Sequence, residues 1–221
     1  MTPSEHRHLF TLFGNILDYP TPALTGQAQR CAALLRPTNP DAANRMLDFA
    51  EFSRSTDLGQ QEEVYTATFD INPACTIFAG YMLFGESFDR GKFLVRLQQR
   101  YRERGFEWGR ELADHVPVIL RFLATLNPDE ELAQNLIDKC LSPVLGQMAG
   151  SFEAEADTPN PYSHVLHALL DVLAPLVKAP LDESMMAVNS RTGMQDRVQP
   201  FLGNRIQPQW ETQQPILRRT Q

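Results

Sequence analysis

Apolar residues recur at intervals of three and four along most of the chain, the spacing of one buried helix face. Leu9, Phe13, Ile16 and Leu17 predict a first helix, which Asp18-Tyr19-Pro20 ends. Ala28, Cys31, Ala32 and Leu35 predict a second, closing before Pro37. Asp41 is the expected cap of a third helix, with Met46, Leu47, Phe49 and Ala50 on its buried face. A fourth is expected from about Leu58 to Phe69, before a break at Asn72-Pro73. A short helix from about Cys75 to Phe84 then leads into a loop from Gly85 to Gly91. The next helix turns Phe93, Leu94, Leu97 and Tyr101 inward and stops at Gly105, a residue suited to the left-handed position past a helix end.

Asp114 is the expected cap of a helix carrying Val116, Ile119, Leu120, Leu123 and Leu126, with its carboxylate accepting from the Val116 N–H. Pro117 falls in the first turn, where a missing N–H costs little. Asn127-Pro128-Asp129-Glu130 combines a cap, a proline and acidic residues, and predicts another start. The apolar stripe from Leu132 to Met148 contains Pro143, which should kink or split its helix. Asn160-Pro161 opens a last helix through Leu173, disturbed at its end by Pro175. No segment alternates like a strand, and no hairpin signal occurs. The expectation is an all-α, single-domain helical bundle over residues 1–179. Residues 180–221 are rich in Gln, Arg, Asn and Pro and carry scattered apolar residues, so they are expected as an extended or partner-docked tail.

Composition narrows the function classes. A net charge of −7 disfavours general nucleic-acid binding and attraction to anionic membranes. Cys31, Cys75 and Cys140 are widely spaced and odd in number, which fits a reducing compartment. The N-terminus lacks the pattern of a signal peptide, and the longest apolar stretch, Val116 to Leu126, is too short to span a bilayer. A cytoplasmic location is the expectation.

The chemical motifs of common enzymes do not occur: no G-x-S-x-G, phosphate-binding glycine loop, dinucleotide fingerprint or H-E-x-x-H. His164 and His167 share a helix face without further ligands at metal-binding spacing. Three features stand out. Glu111-Leu112-Ala113-Asp114-His115 places two carboxylates and a histidine at a helix start, which suits a cap, a polar binding site or a general base. Lys92, Arg96, Arg100 and Arg104 recur every four residues, either as a solvated face with local ion pairs or as a contact for an acidic or phosphate-bearing partner. Tyr65, Phe69, Phe78, Tyr81, Phe84 and Phe88 lie close together in sequence, as core or as the lining of a peptide groove.

Three blocks together resemble a known family. They are Tyr65-Thr-Ala-Thr-Phe69-Asp70, Phe84-Gly-Glu-Ser-Phe-Asp89-Arg90-Gly91 and Glu111-Leu-Ala-Asp-His115-Val-Pro117. They resemble the NarJ-type delta-subunit chaperones of respiratory nitrate reductase, within the TorD and DmsD redox-enzyme maturation family. Ala113 stands where the nitrate reductase branch usually has proline. The resemblance implies an all-helical chaperone and not an enzyme. Its partner would be the catalytic subunit of a molybdenum oxidoreductase, bound through the N-terminal leader or its remnant until the molybdenum cofactor is inserted. The implied binding residues are Tyr65, Phe69, Phe78, Met82, Phe84, Glu86, Asp89, Arg90, Glu111, Asp114, His115 and Pro117. Lys92, Arg96, Arg100 and Arg104 would meet an acidic or phosphate surface. No cofactor is expected to stay bound, and a transient contact with the molybdenum cofactor is left open. The client could instead be a nitrate-reductase-like enzyme acting on perchlorate, chlorate, selenate, dimethyl sulfide, ethylbenzene or nitrite. A scaffold subunit and a small hydrolase using His115 are the remaining alternatives.

Overall fold

The computed structural model describes residues 1–71, 75–153 and 160–178 and is all-α. Helix α1 (Pro3–Ile16) starts with a reciprocal cap between Thr2 and Glu5. Helix α2 (Leu24–Leu35) packs on α3 (Pro40–Ser55) and on α1. Asn39, not Asp41, caps α3: its side chain accepts from the Ala42 N–H. Pro40 needs no donor at the first helical position, so the cap lies one residue before it. Met46, Phe49 and Ala50 are buried, whereas Leu47 is on the exposed side.

Helix α4 (Leu58–Thr66) widens into a π-turn over Ala67–Ile71. The expected break at Asn72-Pro73 falls outside the described residues. Helix α5 (Ala79–Phe84) ends at Gly85, whose φ of 62° is open to a residue without a Cβ. Only a short turn follows, because Ser87 caps α6 (Phe88–Glu103) by accepting from the Arg90 N–H. The loop expected through Gly91 is therefore mostly helix. Helix α6 closes before Gly105, as its sequence predicts.

Helix α7 (Val116–Leu123) is apolar nearly all round and packs on α1. Asn127 and Glu130 first form a closed turn, and α8 (Glu131–Leu136) starts only after it. A π-turn over Ile137–Leu141 precedes Pro143 and α9 (Ser142–Glu153), which is how the chain accommodates that proline. Asn160 caps α10 (Pro161–Leu173), and Pro175 tightens its end into a single 3₁₀ turn. Helix α10 packs on α3 and α9.

One core runs through the bundle, from Leu9 and Phe13 on α1 to Leu169 and Val172 on α10. It includes α7, so the polar block just before α7 is set against the core by the helix it leads into. The expected tail, residues 180–221, lies outside the described residues.

Candidate functional site

The site forms where two extended stretches meet. Phe78 and His115 make a single antiparallel bridge, with Ala79 N–H donating to Asp114 O at 2.8 Å and Val116 N–H donating to Ile77 O at 2.9 Å. This overturns the expected Asp114 cap. The Val116 N–H is taken by a backbone carbonyl nearly forty positions away, and His115 occupies the cap position without a side-chain bond. The Asp114 carboxylate is thereby released to point the other way.

It points at Arg90. The Arg90 Nε donates to Asp114 Oδ2 at 3.1 Å, and the Asp114 side chain is fully buried while Arg90 keeps 21% of its surface. The guanidinium carbon lies 5.9 Å from the Phe78 ring and 5.7 Å from the Tyr81 ring, within reach of both π faces. Gly80 makes room for the pair: a Cβ there would come within 2.7 Å of Asp114 Oδ2. Burial raises the Asp114 carboxyl above its usual range, and the Arg90 charge opposes that rise. Asp114 Oδ1 has no hydrogen-bond partner among the described residues.

His115 is buried. Its ring lies 5.4 Å from that of Phe78, and its Nδ1 has no partner among the described residues. Burial lowers its pKa to about 4; the Asp18 carboxylate works against this and Arg121 adds to it. Asp18 and Arg121 are themselves paired at 2.7 Å. Pro117 is buried in the first turn of α7. Upstream of the block, the Tyr101 hydroxyl donates to the buried Ala113 carbonyl at 2.8 Å, which fixes the turn in which Ala113 stands.

The remaining expected residues divide by burial. Tyr65 and Phe69 are core: they pack on each other and on Tyr162, with ring centroids 4.9–5.9 Å apart. Phe78, Met82 and Phe84 are half-buried. Asp89 is buried and pairs with Lys92 at 3.0 Å. Glu86 and Glu111 are exposed. Of the basic stripe, Arg100 pairs with Glu103 and Arg104 with Glu130, so local ion pairing accounts for most of it.

An open groove of about 550 Å³ lies beside the Arg90–Asp114 pair, lined by Glu86, Ser87, Phe88, Arg90, Gly91, Leu94 and Leu112. Phe88 is 80% exposed and Leu112 46% exposed, unusual for side chains of their size. Leu94 and Leu112 were not expected at the site, and Phe88 was expected only as one of an aromatic group. Leu112 does sit inside the Glu111–His115 block, a position that could have marked it.

Among the described residues, no group of three or more His, Cys, Asp or Glu is placed to hold a metal. His164 faces Asp48, and His167 bonds within its own helix. No helix among them is long and apolar enough to cross a membrane.

The family model described as nitrate reductase delta subunit matches residues 35–154, which include the bridge, the buried pair and the groove. The chain belongs to the nitrate reductase delta subunit family. It is 27% identical over 181 residues to the nitrate reductase molybdenum cofactor assembly chaperone NarJ of Escherichia coli strain K12, covering 80% of this chain and 72% of that one. It is 28% identical over 175 residues to the protein designated NarJ in Bacillus subtilis strain 168, covering 78% and 92%. Its fold is similar to a solved structure described as a redox enzyme maturation protein from Archaeoglobus fulgidus, with a TM-score of 0.53, 23% identity and coverage of 79% and 95%. Both NarJ relatives are named as assembly chaperones. The hydrolase alternative finds no support in the geometry, since His115 is buried against Phe78 and burial makes it a weak base.

Proposed function

We propose that this protein is a cytoplasmic chaperone for the catalytic subunit of a molybdenum oxidoreductase, binding that subunit's N-terminal leader or its remnant while the cofactor is inserted. The observation that carries this reading is the open apolar groove around Phe88, Leu94 and Leu112, set against the buried Arg90–Asp114 pair. The delta-family membership supports the client class, since relatives are named as nitrate reductase molybdenum cofactor assembly chaperones.

The physical event is binding and release. A short amphipathic segment lays its apolar face on Phe88, Leu94 and Leu112. Burying a few such side chains at ~1.5–3 kcal/mol each supports micromolar affinity after the costs of association. Exposed Glu86 and Glu111 favour a segment with basic residues at its rim. Phe78, Met82 and Phe84 are half-buried against the core and Tyr65 and Phe69 lie within it, so none of these five lines the groove itself. The basic stripe is a weaker contact for an acidic surface or the cofactor, because Lys92, Arg100 and Arg104 already hold carboxylates. Release follows when the client folds and withdraws the segment.

The test is a pull-down of the tagged protein from cells making candidate molybdenum enzymes, read by mass spectrometry. The catalytic-subunit precursor should be captured and the mature complex should lack the chaperone. Stable presence in the finished enzyme would instead support a scaffold, and capture of no molybdenum-enzyme subunit would overturn the reading.

A further inference from the structure

Among the described residues, one of the three guanidinium nitrogens of Arg90 is occupied. Nε is bonded to Asp114, and among the described residues neither Nη atom has a hydrogen-bond partner. The group is nonetheless not free to wander. A buried carboxylate holds one edge, and the Phe78 and Tyr81 rings lie within 6 Å of its carbon. Its side chain keeps 21% of its surface and lines the groove. Such an arrangement offers preorganised donors at low entropic cost, which a flexible lysine could not match.

The acceptor those donors suit is set by the surrounding charge. Glu86 lines the same groove, Glu111 is exposed next to Leu112, and the whole chain carries −7. Lys92, whose Nζ lies 4.7 Å from the Phe88 ring, is already paired with Asp89, so the exposed carboxylates of Glu86 and Glu111 set the sign that disfavours an acidic ligand and favours a basic segment. The acceptor is then a neutral peptide carbonyl. A docked amphipathic helix supplies such groups at its C-terminal end, where the last carbonyls lack partners and favour a cation.

We propose that Arg90, positioned by Asp114, hydrogen-bonds main-chain carbonyls at the C-terminal end of the bound client segment and so sets its direction in the groove. This rests on the leader-binding reading and adds a residue, an acceptor and a polarity to it. The apolar turns then lie on Phe88, Leu94 and Leu112, and Asp114 acts only through Arg90.

The experiment is nuclear magnetic resonance of the arginine side chains, together with calorimetry, on the full chain. The probe is a leader peptide with an amidated C-terminus and no acidic side chain. Binding should shift the Arg90 Nη resonances and slow their rotation, while Nε stays held by Asp114. Arg90→Lys should weaken binding about tenfold with the fold unchanged by circular dichroism. The double variant Arg90→Met/Asp114→Asn removes both charges together and guards against simple misfolding. It should weaken the same peptide by a similar factor. If the wild type binds the peptide but Arg90 Nη signals stay still, or Arg90→Lys binds equally well, the inference falls while leader binding stands. A requirement for an acidic peptide would also overturn it, by making the acceptor a carboxylate. If the wild type binds no leader peptide, the functional reading falls with it.

Discussion

The Asp114 carboxylate can reach Arg90 at 3.1 Å because Gly80, packed against it, has no side chain. A methyl group there would sit 2.7 Å from Asp114 Oδ2 and 3.1 Å from the Phe93 ring. Gly80→Ala should therefore cost about 1–3 kcal/mol, as overpacking does. Urea denaturation with an unchanged slope would report it.

The pair itself should be costly to break from one side. Arg90→Met leaves a buried carboxylate without its donor and should destabilise by about 2–3 kcal/mol. Adding Asp114→Asn removes the stranded charge, so the double variant should recover much of that loss. Thermal melts of the single and double variants at neutral pH check this.

Burial holds His115 near a pKa of about 4, against an ordinary value of 6.5. The unfolded chain therefore takes up this proton first on acidification. His115 contributes full stability above pH 6.5 and loses it as the pH falls toward 4, by on the order of 2–3 kcal/mol. Asp114 acts in the opposite sense, since its raised pKa lets the folded state take up a proton more readily. The clean readout is a difference. Between pH 7 and 5, His115→Gln should lose less stability than the wild type.

Phe88 and Phe69 should separate binding from folding. Phe88 is 80% exposed, so Phe88→Ala should leave stability within ~0.5 kcal/mol while weakening leader binding. Phe69 is 1% exposed against Tyr65 and Tyr162, so Phe69→Ala should cost about 3–5 kcal/mol. Paired denaturation and peptide titration distinguish the two.

The helices were legible because their signals are local. Apolar spacing, Asn160-Pro161 and the glycine after α6 each act within a few residues. The site was legible as a set of blocks but not as a geometry. Asp114 reads as a cap until the Ile77 carbonyl claims the Val116 N–H and Arg90 claims the carboxylate. Both partners are distant in sequence. The aromatic group likewise gives no local sign of which rings face outward. Tyr162, from α10, buries Phe69, while the early start of α6 leaves Phe88 in solvent. Gly80 carries no sequence signal of its role at all.

Calorimetric titration of the wild type and Phe88→Ala with N-terminal leader peptides of molybdenum oxidoreductases tests the central claim most directly. The account predicts micromolar or tighter binding of at least one leader by the wild type, and binding at least tenfold weaker by the variant at equal stability. Equal affinity for both proteins would remove the groove, and no binding of any leader would contradict the chaperone function itself.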